Sequence, residues 1–150
     1  MKKSVVLSLA VCVMLAALAG CAGTKKLSPE ELVMQKTQAF VSDVLAAKAD
    51  TILDYVSESF TNEHVADKAT LAEHLKKAKD KGQVADFPNM IKEHNGQIDL
   101  KDAKVKVEKD TATVYPIIAS ANEGSVTVEL IFKKDPDKVW RISAINIEGI

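Results

Sequence analysis

Cysteine is almost absent from this chain of 150 residues: there are two, Cys12 and Cys21, too few for a disulfide framework or a cysteine metal site. Aromatic residues make up only 5%, so each one that is present matters for packing. Charge of one sign is lacking as well. Twenty Lys+Arg stand against 21 Asp+Glu, a net charge of -1, which excludes the clustered basic excess of a general nucleic-acid binder. The chain has no Gly-rich phosphate loop, no Gly-x-Ser-x-Gly elbow, no internal repeat and no low-complexity tract. Long apolar runs are also scarce. There is one, residues 4–19, and its 16 residues fall short of the roughly 20 that span a bilayer core as a helix.

That single run follows Lys2 and Lys3, and a basic n-region before an apolar h-region reads as a cleaved targeting segment. It ends in Leu18-Ala19-Gly20-Cys21. This quartet resembles the lipobox of bacterial lipoproteins, in which two small residues admit the scissile bond to a peptidase and the cysteine sulfur carries a thioether-linked diacylglycerol. The resemblance implies residues 1–20 as signal peptide, acylated Cys21 as the first mature residue, residues 21–27 as lipidated cysteine and tether, and residues 28–150 as one domain. With Cys12 removed and Cys21 acylated, no thiol remains for catalysis. Two or three acyl chains would hold the chain on a membrane, each buried CH₂ contributing about 0.8 kcal/mol. Ala22 follows the cysteine where an Asp commonly retains such proteins in the inner membrane. The expected location is therefore the periplasmic face of the outer membrane in a Gram-negative host, or otherwise the outer face of the cell membrane. The mature chain, with 18 basic residues against 21 acidic, is mildly acidic at -3.

The mature domain opens with Ser28-Pro29-Glu30-Glu31, a capping box with proline at the first helical position. The spacing predicts a helix over 29–48 with Val33, Thr37, Phe40, Val41, Val44 and Leu45 on one stripe. A second, short helix is predicted over 51–57, capped by Asp50, and a third over 68–81, capped by Asp67 or Thr70, with Leu71, Leu75 and Ala78 buried and Gly82 as its stop. After Pro88, residues 89–94 are predicted to form one helical turn. From Ile98 the period changes to two. Strands are predicted over 104–108, 111–121, 125–133 and 138–148, separated by Lys109-Asp110, Asn122-Glu123-Gly124 and Asp135-Pro136-Asp137, residues suited to tight turns. Pro116 inside the second strand calls for an edge or bulge, and the phase changes near Ser143. The predicted fold class is α+β: N-terminal helices packed on a curved four-stranded antiparallel meander.

Helices followed by a curved meander resemble the cone-shaped fold of the nuclear transport factor two-like, ketosteroid-isomerase-like superfamily, and most of all its small secreted bacterial lipoproteins of unknown function. The residues that carry this are Ser28-Pro29-Glu30-Glu31 with Phe40, the stretch from Ala49 to Val56 with Ser59-Phe60, the Val105 to Val114 hairpin, and the closing Asp137-Lys138-Val139-Trp140-Arg141-Ile142. The resemblance implies a pocket between the first helix and the concave sheet, for which Phe40, Tyr55, Phe60, Tyr115 and Trp140 are candidates; the alternative is that they fill the core. It also implies dimerisation through the outer sheet face, with Tyr115, Ile117, Ile131, Ile145 and Ile147 as interface candidates.

An isomerase or dehydratase of this fold would need a buried carboxylate base and a hydroxyl or acid at a developing oxyanion, and Asp54, Tyr55 and Tyr115 have those residue types. Adjacent helical residues, however, point about 100° apart. His64, His74 and His94 each follow a glutamate but lie ten residues or more from one another, which defeats a helical zinc motif. Lys76-Lys77-Ala78-Lys79-Asp80-Lys81 suits the last turn of a helix; its functional alternative is an anionic surface. The expectation is a non-catalytic envelope lipoprotein binding a small apolar ligand or an envelope protein, with no cofactor, metal or nucleic acid. The alternatives are a tethered enzyme and a dimerising interaction subunit.

Overall fold

A computed structural model describes residues 26–149, and the lipobox with Cys21 lies outside them. Helix α1 (Pro29–Leu45) starts as its sequence dictates. The Glu31 amide donates to Ser28 Oγ at 3.1 Å, and the Ser28 amide donates to Glu31 Oε2 at 2.7 Å. Helix α2 (Ala49–Ile52) runs into a 3₁₀ turn, Leu53–Tyr55. Helix α3 (Lys68–Asp80) is capped by Asp67, whose carboxylate accepts from the Thr70 amide at 2.7 Å. Helix α4 (Gln83–Glu93) follows across Gly82, whose positive φ of 76° makes the reversal between the two helices. One turn was predicted for the α4 region, and three turns form. Pro88 sits inside α4, where its ring costs the Val84 carbonyl one helical donor.

The sheet is antiparallel and has five strands: β1 (Gln97–Asp99), β2 (Lys104–Glu108), β3 (Thr111–Ala121), β4 (Gly124–Lys134) and β5 (Trp140–Glu148). The four predicted strands are present, and β1 is an additional short one. β1 and β2 both pair with β3, at opposite ends of it, with β4 and β5 beyond. The register shifts twice, between Val114 and Ile117 around the cis Tyr115–Pro116 bond, and beside Ser143, where Ile131 pairs with Ala144 but Phe132 with Ile142. Such bulges bend a sheet. Residues past β5's free edge cover it: Val56 bridges Ile142 in parallel, the Ser57 amide donates to the Ile142 carbonyl at 2.9 Å, and the Thr61 amide to the Ser143 carbonyl at 3.0 Å.

The core lies between α1 and the concave face of this sheet. Val33 meets Ala112, Val114, Ile117, Leu130, Phe132, Trp140 and Ile142 there, closed off by Val56 and Phe60, and Val41 is buried on the same helix. Thr37 is fully buried among them because its hydroxyl donates to the Val33 carbonyl at 2.9 Å. Helices α3 and α4 contribute no buried residue; Leu71, Leu75 and Ala78, predicted to be buried, are half-buried.

Candidate functional site

The unburied inner faces of α3 and α4 border two chambers. The first, about 300 Å³, lies between this helical hairpin and the end of α1 with α2. Its walls include Val44, Ile52, Leu75, Val84 and Phe87, and the small residues Ala47, Ala49 and Ala78 leave the room. Lys48 and Gln83 bring the polar groups. The second chamber, about 810 Å³, lies between the other side of α4 and the open end of the sheet. Ile91, Ile98, Ala119 and Val126 give it an apolar lining, and His94, Gln97, Ser120 and Glu123 a polar one. Phe87 and Met90 of α4 line both. Where α4 ends, a Cβ at Gly96 would stand 3.0 Å from the end of the Ile91 side chain, which would have to give way slightly.

Polar networks fix the frame around the chambers. The end of α4 is clamped to the β3–β4 turn, where the Asn122 amide donates to the His94 carbonyl at 2.9 Å and Asn95 Nδ2 to Asn122 Oδ1 at 2.9 Å. His94 Nδ1 pairs with Glu123 Oε1, which holds the Glu123 carboxyl below its ordinary range. At the other end, Asp43 of α1 accepts from Lys48 Nζ at 2.8 Å, Tyr55 Oη at 2.7 Å and Thr51 Oγ1 at 3.3 Å. Lys48 first and Tyr55 second lower the Asp43 pKa, and the hydrogen bond to Asp43 raises that of the Tyr55 phenol. A third recess, charged and about 450 Å³, is lined by Asp54, Glu58, Lys68, Asp135, Asp137 and Arg141. Within it Arg141 reaches Asp137 at 2.8 Å and Asp135 at 3.1 Å, and the buried Ser57 hydroxyl donates to Asp135 at 2.7 Å. These pairings raise the Arg141 pKa, Asp137 first among the causes.

No protein-family model and no curated protein sequence matches the chain. Solved structures do match. An NTF2-like protein with a cystatin-like fold from Novosphingobium aromaticivorans is similar over 78% of this chain and 79% of its own, at 15% identity and a TM-score of 0.53. A ketosteroid isomerase-like protein from Erwinia carotovora atroseptica is similar over 80% and 96%, at 13% identity and 0.51. A CaMKII hub from S. rosetta is similar over 84% and 100%, at 14% identity and 0.56. Of a further match, Bd1075 of Bdellovibrio bacteriovorus, the chain spans 39% of the length. The fold is the NTF2-like, cystatin-like cone.

Within the cone, the packed core lies beneath α1. Phe60 and Trp140 lie in the packed core at 4% and 5% exposure, with Lys134 Nζ 5.9 Å from the Trp140 ring centroid. Phe40 and Tyr55 form an edge-on pair with ring centroids 5.6 Å apart, and Tyr115 stands 42% exposed on the outer face of the sheet. None of these five aromatics lines either chamber beside α4.

Asp54, Tyr55 and Tyr115 go to three places: the charged recess, the Asp43 network and the outer face. The interface set also divides. Cross-strand partners share a face, so Ile117 with Val128 and Ile147, and Ile145 with Leu130 and Val114, point to the concave side, leaving Tyr115 and Ile131 outside. The outward expectation for Ile117, Ile145 and Ile147 is thus corrected by the two bulges, each of which reverses the alternation. Among the described residues no group of three His, Cys, Asp or Glu is placed to hold a metal. Sequence reasoning passed over Ala47, Ala49, Val84, Phe87 and Met90. The signal for the last three was their helical spacing between Gly82 and Gly96, which Pro88 masked.

Proposed function

We propose that this chain is an envelope lipoprotein held to its membrane by acylated Cys21, and that its cone binds a small apolar ligand at its open end without transforming it. The observation that supports binding is the 810 Å³ chamber under α4, apolar on its sheet side and polar at His94, Gln97, Ser120 and Glu123. Its volume lies within the usual range for ligand pockets, about 300–1,000 Å³. The non-catalytic reading draws on the dispersal of Asp54, Tyr55 and Tyr115, since a general base must lie within about 3 Å of the proton it takes. Asp43 is already satisfied by three donors and Glu123 by His94.

Native mass spectrometry of the protein purified from its own envelope tests the ligand. A bound mass that disappears in Ala119→Trp, which fills the chamber, is the expected result; its persistence in that variant refutes the site. The anchor has a separate test, in which Cys21→Ser leaves the membrane fraction and loses the acyl mass. An unacylated wild type would end the lipoprotein reading.

A second reading, self-association through the outer sheet face, draws on exposed Tyr115 and on Ile131, which share that face. Light scattering of wild type and Tyr115→Glu decides it: a dimer that the variant dissociates is expected, and a monomeric wild type rejects it.

A further inference from the structure

The 300 Å³ chamber on the other side of α4 is a different place from the open end of the cone, and we propose that it takes one acyl chain, with the polar head of that amphiphile remaining at a mouth bordered by Lys48 and Lys79. Three observations converge on this. The first is dryness. Apart from Lys48 and Gln83 the walls are Val, Ile, Leu, Phe, Met and Ala, which offer water few hydrogen-bond partners, so covering them with an apolar occupant is favourable. The second is size. At about 300 Å³ the space is at the lower end of the ligand-pocket range, enough for one slender apolar group and not for a large ligand.

The third is the way the helical hairpin that forms one wall of this half-open recess is held. At its outer ends the helical hairpin meets the body through Lys68 on Glu58 at 2.7 Å at the start of α3, also an exposed pair, and through the Asn122 clamp at the end of α4. Between them lies the turn made by Gly82, with open space beside the Gly82 α-carbon. It is strapped to the body by Lys79 Nζ on Asp50, 2.9 and 3.0 Å from the two carboxylate oxygens. Asp50 and Lys79 each follow a wall residue, Ala49 and Ala78. Both partners are largely exposed, at 58% and 83%, and exposed pairs of this kind contribute little and weaken with salt. The strap therefore opens readily. Lys48 of the wall is likewise paired, with Asp43 at 2.8 Å, so an anionic head would meet an ammonium by drawing Lys48 or Lys79 from its carboxylate.

The probe is cis-parinaric acid, a fluorescent fatty acid, titrated into residues 21–150 carrying Cys21→Ser. Saturable binding is expected, weakened about tenfold or more by Ala78→Trp, which fills the chamber, and unchanged by Ala119→Trp at the open end of the cone. Displacement by dodecanoate but not by lauroyl lysophosphatidylcholine names a free fatty acid as the occupant, the reverse names a lysophospholipid, and displacement by neither overturns the proposal. Asp50→Asn changes only an exposed side chain, so it keeps the test open if Ala78→Trp does not fold. It is expected to raise the association rate about two- to threefold and to abolish the acceleration that added NaCl gives the wild type. Equal rates in the two proteins contradict the strap. Binding that survives Ala78→Trp and disappears in Ala119→Trp transfers the site to the cone's open end, supporting the reading above and refuting this one. No binding of the probe at all also refutes it and leaves the native-mass test of the open end untouched.

Discussion

At Asp43 three donors converge on one carboxylate, which joins α1 to the turn carrying Tyr55. Its pKa is lowered, as are those of Asp67 by the Thr70 amide, Glu123 by His94 and Asp137 by Arg141. A lowered native pKa means that the unfolded chain binds the proton first as pH falls. The stability these groups contribute is complete above the unfolded carboxylate range, near 4, and is lost as pH drops through the lower native values. Urea midpoints are expected to hold steady from about pH 7 to pH 5 and to fall by pH 3, with a shallower fall in Asp43→Asn. Alkaline ultraviolet titration gives the complementary check, because Tyr55→Phe should remove a phenol that ionises above the ordinary tyrosine value. The sequence displayed Tyr55 as a candidate; it did not display Asp43 as its partner, twelve residues away across a helix end. Aromatic side chains are the easiest pocket candidates to choose by eye and also the best core fillers, which is where Phe60 and Trp140 went.

Among the elements, those with explicit end signals were legible. The Ser28 box set the start of α1, and Ser28→Ala is expected to cost about 1 kcal/mol in denaturant unfolding. Lys109-Asp110 fixed β2 and β3 at their predicted bounds on either side of it, since a tight turn between alternating segments leaves little freedom of register. Helix α4 was underestimated because proline is ordinarily a boundary, yet here it sits in the middle. Pro88→Ala should restore a donor to the Val84 carbonyl and raise stability, by up to about 3 kcal/mol, in the same measurement. Strand phase beyond Tyr115 and Ser143 was illegible for another reason. Pro116 and the change of phase near Ser143 marked where the irregularities fall, but a bulge adds one residue on one strand alone, and which side chains it turns inward depends on the pairing with the partner strand.

At the scale of the whole molecule the domain has a tight half and a loose half. Phe132 is 1% exposed under α1, and Phe132→Ala is expected to cost about 3–5 kcal/mol. The α3–α4 hairpin buries no residue fully, so its amides should exchange with solvent well before those of β3 to β5, and an exchange map with uniform protection would contradict this division. The loose half is the one that borders both chambers, which composition alone did not reveal. The margins of the sheet carry a different consequence. On one side stand the three-residue β1 and a β2 carrying Lys104 and Lys106; on the other, β5 is capped by the chain from Val56 to Thr61. Exposed strands invite neighbouring copies to add on and polymerise, and short, charged or covered ones resist it. Proteins confined to a membrane plane meet one another often and in similar orientations. With the membrane anchor proposed above, a sheet finished in this way could be crowded there without growing into fibres.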